Sequence, residues 1–363
     1  MARKKRSHLT HKKKSASKNP NKAPPEGLPR TQFAALKPYG SFVVEDAEGE
    51  HTTFRKDDTA YIKPYETDPS EETPPEDYWI ARIREIRGTD DSSDPEDAQV
   101  WVRVQWYWSP QEVAQVVKSF KPEYCGKYEK IFSDSYDIVS SRCFSAPVQM
   151  KRYGEREFEQ PFIEEDVWFC RYDFEYNMRR ITPKQATVAC VCGVPYIPGV
   201  DEILHFCPRP GCRSAHHQTC LLERGLVEDL SVERCRRLVA TWLDAGSTDT
   251  VASLAYIDAP PRKRRKGMVT SPTVFHDDPL EDFPRELIAI AEQEIVRGTK
   301  AGGIVGNVAA VTAARNIIYK ALSGDGTIPN DWETIDMIDS PFPIAAHQTT
   351  RQGFLCPSCG SPI

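Results

Sequence analysis

QVWVRVQWYW, residues 99–108, is a run of β-branched and aromatic side chains with charge only at Arg103, a composition that suits a strand. Strand side chains alternate with period two. Val100, Val102, Val104, Trp106 and Trp108 therefore share one face of this run. Shorter runs of the same kind surround it: FVV at 42–44, AYIKP at 60–64 and DYWIARIREI at 77–86 before it, and 137–139, 147–153 and 167–172 after it. Acidic, proline-bearing stretches at 66–76 and 89–97 separate some of them. Seven or so short strands with little helical periodicity predict a β-barrel or a curled sheet.

Outward from this region the composition changes on both sides. The chain has 363 residues and a formal net charge of −6, a length that suggests two or three domains. Residues 1–30 hold ten Lys or Arg against Glu26 alone, so the remainder carries 37 basic and 52 acidic residues, a net charge of −15. A basic tail on an acidic body is not the charge pattern of a protein that coats nucleic acid. Residues 1–35 are read as a basic disordered tail, poor in apolar groups and able to touch phosphates only non-specifically. The run Arg262, Lys263, Arg264, Arg265, Lys266, behind Pro260-Pro261, is a compact candidate for nuclear import.

Eleven cysteines, no signal peptide and no apolar run of membrane length predict reduced thiols in an intracellular protein, with no membrane partner. Cys125, Cys143, Cys170 and Cys235 stand alone and read as buried thiols. The others form a ladder: Cys190-x-Cys192, Cys207-x4-Cys212, His217-x2-Cys220 and Cys356-x2-Cys359. Structural zinc takes four tetrahedral N/S ligands, and short spacings let two thiolates reach one ion from a tight turn. Eight ligands in four pairs predict two structural Zn²⁺ ions. The last pair lies beyond 135 intervening residues, 221–355. Lengthening that loop from ~20 residues costs roughly 1.7 kcal/mol, whereas a structural zinc contributes ~10 kcal/mol or more. The metal therefore wins.

Several of these stretches together resemble a known family. DDTAYIKP, YWIARIREI, VRVQWYWSPQEV, YEKIFSDSYDIVS and DVWFCRYDFEYN occur in the order and spacing of BAH domains, over roughly residues 40–180. The ligand order, four cysteines, a histidine and three cysteines, resembles a PHD finger and not a RING finger; Phe354, two residues before the last pair, is a further PHD habit. ITPKQATVACVCGVPY at 181–196 resembles the short junction between the two in the BAH–PHD chromatin readers of plants and fungi. The resemblance implies a mainly β BAH barrel at 36–182, then a small zinc-bound PHD-like finger at 188–363 with an α-helical and loop insertion at about 244–350. It also implies interleaved ligation, with Cys190, Cys192, His217 and Cys220 on one zinc and Cys207, Cys212, Cys356 and Cys359 on the other. In BAH readers an aromatic cage holds methylated lysine, and Trp79, Trp106 and Trp108 fall on its three positions. Relatives use Tyr at some of them. Polar groups beside the cage map to Asp137 and Ser135.

Ring faces attract a quaternary ammonium that cannot donate hydrogen bonds, so three tryptophans suit that task; the competing reading is that Trp106 merely continues the valine core. Two positions depart from the family. Asp57 stands where glycine usually precedes Asp58, and Ala215 stands two residues before His217, where readers of the active methyl mark carry Trp. The finger is therefore expected to be a structural clasp, although Asp201 and Glu202 could still meet a basic peptide.

A helix is expected at 231–243, ahead of the insertion (Ser231 as N-cap; Cys235, Leu238, Val239, Trp242 and Leu243 on one face), and two more within the insertion, at 284–297 and at 307–322. KAGGIVGN, residues 300–307, lacks the Lys-Ser/Thr of a phosphate loop and reads as a helix break. Neither HExxH nor G-x-S-x-G occurs, so the chain is read as a non-enzyme. The expected function is nuclear: binding a methylated histone H3 tail or nucleosome, with trimethylated lysine twenty-seven the implied mark and repression the implied outcome. Co-repressor subunits could dock on the insertion. A protein-interaction scaffold without methyl-lysine binding is the alternative, and a ubiquitin ligase acting through a RING-like finger a more distant one.

Overall fold

The computed structural model describes residues 28–45, 49–63, 78–89, 99–157, 160–185, 190–200, 202–207, 212–229, 280–281, 283–299, 301–323, 327–330, 332, 352–360 and 363. The basic tail to residue 27, the expected helix at 231–243 and the import run at 262–266 lie outside them. Among the described residues no helix is long and apolar enough to cross a membrane. The chain divides into two compact units, Met1–Arg152 with Asp166–Gln185, and Tyr153–Glu165 with Ala186–Ile363.

The first unit opens earlier than expected. Arg30–Ala35 forms a helix, α1, within the stretch assigned to the tail. Phe33 anchors it: the ring is buried beneath the Arg87 guanidinium at 5.5 Å, and Arg87 Nη1 donates to the carbonyls of Ala34 and Leu36. The strands follow as β1 (Lys37–Tyr39), β2 (Ser41–Glu45), β3 (His51–Arg55), β4 (Thr59–Ile62), β5 (Trp79–Gly88) and β6 (Val100–Trp108). Helix α2 (Pro110–Val116) interrupts them, started by a capping box in which Ser109 and Glu112 bond reciprocally, with Pro110 in the first turn. Then come β7 (Ile131–Ser140), β8 (Phe144–Pro147), β9 (Met150–Arg152), β10 (Trp168–Cys170), β11 (Asp173–Glu175) and β12 (Arg180–Thr182).

Eight of these strands make one sheet in the order β12-β11-β7-β6-β5-β4-β8, with β1 on the far end of β5; β2–β3 and β9–β10 are separate pairs. Among the described residues the hydrogen-bonded path ends at β12 and at β8, so it is a curled sheet and not a ring closed by its ladders. The alternation expected for 99–108 places Val102, Val104, Trp106 and Trp108 in the core, with Ile83, Ile86, Ile131 and Phe174.

The second unit is built on a three-stranded sheet, β14-β13-β16, of β13 (Leu204–Phe206), β14 (Ala215–His217) and β16 (Val296–Arg297). A second pair joins β15 (Val227–Asp229) to β17 (Gln352–Phe354). Helices α3 (Gln218–Glu223), α4 (Arg285–Ala291) and α5 (Val308–Ser323) complete it. The last matches the expected helix at 307–322, but the expected helix at 284–297 is only half formed. After Ala291 the chain turns; the Ile295 carbonyl accepts from Phe206 N–H, and Val296-Arg297 pairs with β13. Two β-branched residues beside an open strand edge favour the ladder over another helical turn. The inserted segment thus contributes a strand to the sheet that carries His217. The glycines of KAGGIVGN serve the turn from β16 into α5: a Cβ on Gly306, at φ +72°, would lie 1.8 Å from the Val296 carbonyl oxygen.

The boundary between the units also differs from expectation. The resemblance implies that residues 153–165 lie in the first domain, whereas they group with the second unit, where Tyr153 and Ile163 are fully buried and the Tyr153 ring meets Tyr196 edge-on at 6.4 Å.

Candidate binding face and metal centres

Trp106 lies opposite Ala81 of β5, and Trp79 opens that strand two residues earlier. Alternation puts both side chains on one face of the sheet. Their rings meet at 84° with centroids 5.7 Å apart, forming a right-angled corner. Trp108, on the same face of β6, packs edge-on against Phe174 at 5.3 Å and obliquely, at 37°, against Tyr176 at 5.5 Å. Trp79 is half-buried, while Trp106 and Trp108 are 3% and 2% exposed. The sequence reading missed Phe174 and Tyr176, although the period-two pattern of DFEY at 173–176 places both on one face.

Behind the rings, β7 supplies the polar groups. Gln105 pairs with Tyr136 and Tyr107 with Phe132, so three residues of β7, Ser133 to Ser135, bulge opposite Trp106. The bulge and the strand after it aim acceptors at both indoles. Trp106 Nε1 donates to Asp137 Oδ2 at 3.2 Å, and Trp108 Nε1 donates to Ser135 Oγ at 2.9 Å. Ser135 in turn shares a 2.8 Å hydroxyl contact with Ser133, whose Oγ also accepts from Ser135 N–H. Asp134 accepts from the Tyr176 N–H at 2.7 Å. Tyr136 points elsewhere, beneath the Arg103 guanidinium at 4.7 Å.

In the second unit the structure gathers two ligand groups: Cys190, Cys192, His217 and Cys220, and Cys207, Cys212, Cys356 and Cys359, with the donor atoms of each group within 4.8 Å of one another. These are the two interleaved sets the resemblance implies. Thiolates around zinc at ~2.3 Å would sit roughly 3.8 Å apart. Cys207 to Cys359 and Cys212 to Cys356 are both 3.6 Å. His217 directs Nδ1 at Cys192 and Cys220, at 3.4 and 3.9 Å. Its Nε2 faces Glu202 at 3.7 Å, and Glu202 also accepts from Thr219 Oγ1 at 2.9 Å. A carboxylate behind a ligating imidazole fixes its tautomer, a role that Glu202 is placed to fill while its side chain stays 37% exposed.

His216, the neighbouring residue on β14, points to the opposite face and brings Nε2 within 3.6 Å of Cys356. His217 and not His216 therefore belongs to the first group. Burial, followed by the Cys190 thiol beside it, pushes the Cys220 thiol up to about 12. Each group, three thiols with an imidazole in the first and four thiols in the second, is suited to hold a metal ion, and a cation there would replace the thiol protons. Cys143 and Cys170 are buried, and Cys125 is partly so; burial pushes the Cys125 thiol well up and raises that of Cys170.

No family model matches the chain. Two curated plant proteins do: the chromatin remodeling protein SHL of Arabidopsis thaliana, 24% identical over 143 residues, and the chromatin remodeling protein EBS of the same species, 25% identical over 145 residues. Each alignment covers 39% of this chain, and 57% and 55% of the respective relatives. The chain therefore matches little more than half the length of these proteins. Among solved structures, the yeast Rsc2 BAH domain aligns with 40% of this chain and 53% of that chain, at 11% identity and a TM-score of 0.26. The chain is thus similar, over about two fifths of its length, to plant chromatin remodeling proteins.

Proposed function

We propose that this chain is a nuclear chromatin-binding protein that reads a methylated lysine of the histone H3 tail, with Trp79, Trp106 and Trp108 as the aromatic site. One observation carries the reading: the right-angled Trp79–Trp106 corner, with the Trp106 N–H tied back to Asp137. Two ring planes at a right angle would give a methylammonium two contacts at once if Trp106, 3% exposed, is uncovered on binding, each contact worth about 0.5–2 kcal/mol depending on desolvation. Asp137 adds local negative potential beside that corner, and Ser135 fixes the Trp108 indole next along the strand. Similarity to two chromatin remodeling proteins supports the setting. The family resemblance supports trimethylated lysine twenty-seven as the mark, and gene silencing as its outcome. Two Zn²⁺ ions, held by the two ligand groups, would tie the finger together structurally and leave no open position for chemistry. The import run at 262–266 and the basic tail would serve nuclear entry and loose contact with nucleic acid.

One observation favours a second reading, a chromatin-associated interaction scaffold. Trp106 and Trp108 are almost wholly covered and belong to the sheet's core. A methyl-peptide array probed with the wild type and with Trp79→Ala decides between the two. The reader predicts methyl-dependent capture that the substitution abolishes; the scaffold predicts none in either protein.

A further inference from the structure

We propose that Gln105 is a positioning residue for the tryptophan site, holding the β7 bulge against which the Trp108 indole is braced. This rests on the reader function given above. Gln105 is 6% exposed in the central strand β6, where a buried amide is costly unless both of its ends are paired. Both are. Arg84 Nε donates to Gln105 Oε1 at 2.7 Å, and Gln105 Nε2 donates to the Ser133 carbonyl at 2.7 Å. Arginine can only donate and a carbonyl can only accept, so the amide has one possible orientation.

The placement is specific to irregularities in both neighbouring strands. On β5, Ile83 pairs with Val104 and Glu85 with Arg103, so Arg84 is an extra residue in the ladder. On β7 the ladder skips across Ser133–Ser135. Gln105 lies between these two bulges and links them. Its chain of bonds begins at the exposed turn, where Asp57 Oδ1 accepts from Arg84 Nη1 at 2.8 Å. It continues through Ser133 to Ser135 and ends on Trp108 Nε1. A bulge re-aims side chains, and this one turns a serine hydroxyl onto an indole that would otherwise meet only rings.

The test uses the full chain with its metal bound. Gln105→Met keeps the volume and removes both bonds; Ser135→Ala removes only the last link. Hydrogen exchange of the Trp108 indole, assigned with Trp108→Phe, and the affinity ratio for a trimethylated against an unmethylated histone H3 peptide are measured together. Both variants should lose roughly five- to tenfold in indole protection, as for one net hydrogen bond, and several-fold in the methyl ratio. The Trp168 indole, bonded to Tyr61 Oη at 2.6 Å, should not change. Unchanged Trp108 protection in either folded variant overturns the inference. So does lost protection with an undiminished methyl ratio, which would make the linkage purely structural. A wild type without methyl-dependent binding removes the reader function instead, and indole exchange still decides whether Gln105 braces Trp108. If Gln105→Met fails to fold, Gln105→Glu carries the same test, since it keeps the acceptor for Arg84 and loses the donor to the Ser133 carbonyl.

Discussion

At the scale of single residues, Asp57 shows what family comparison can flag and only backbone geometry can explain. It stands where glycine is usual, and its φ is +73°, in the left-handed region that side chains avoid. Aspartate tolerates that region better than most, and here it also accepts from Arg84 at 2.8 Å and lies 3.3 Å from Arg82. Strain relief and a half-exposed ion pair are each worth about 1 kcal/mol. They should nearly cancel in Asp57→Gly, leaving stability within about 1 kcal/mol of wild type, while Asp57→Ala keeps the strain, loses the pair and should cost about 1–2 kcal/mol. Urea unfolding distinguishes the two; equal losses would remove the backbone explanation. Trp106 and Trp108 were legible as face partners from alternation alone. Their hydrogen-bond partners were only half legible, because a bulge breaks the period-two rule from which positions opposite β6 are inferred. Gln105 gave no signal at all: polar residues inside a strand read as solvent-facing until the neighbouring strands are placed.

At the scale of elements, a buried ion pair holds the segment before β7 to the segment after β10. Arg171 and Glu129 are 1% and 0% exposed and bond at both ends of the carboxylate, at 2.8 and 2.9 Å; Arg171 also donates to the Tyr124 carbonyl. Removing one partner strands the other charge, so Glu129→Ala should destabilise the first unit by about 3–5 kcal/mol. A thermal melt lowered by less than a degree would contradict that. In the second unit, Phe354 pairs with Val227 and is 1% exposed, so the β15–β17 ladder anchors the chain just ahead of Cys356 and Cys359. Chelation should therefore remove two zinc ions and the near-ultraviolet signal of this unit together, as binding worth ~10 kcal/mol or more is lost. Metal analysis giving far from two zinc per chain would undo the assignment. Spacing made the ligands legible, and the strand pairs show why: β13 and β14 place Cys207 and His217 at opposite ends of one ladder. Helix periodicity was less informative. It identified α5 well but ran α4 through Ile295, because a short apolar stretch fits helix and strand alike until a strand edge is available.

At the scale of the whole molecule, the strand content and the two candidate ligand groups were visible in the sequence, whereas the division of the chain was not. Residues 153–165 fall between the strand runs at 147–153 and 167–172, inside the expected first domain, yet with buried Tyr153 and Ile163 they group with the second unit. The insertion likewise is no appendage, since β16 completes the sheet of β13 and β14. A long-range return of this kind leaves no local mark in composition or periodicity. With the second unit built as a framework, the proposed reader function places recognition in the first, around Trp79 and Trp106. The most direct test is the affinity of the purified chain for a histone H3 peptide trimethylated at lysine twenty-seven against its unmethylated form, with Trp79→Ala as control. The account predicts at least tenfold preference for the methylated peptide, equivalent to about 1.4 kcal/mol from the two ring faces, and its loss in a Trp79→Ala protein that melts close to wild type. Equal affinity of the wild type for both peptides would contradict it.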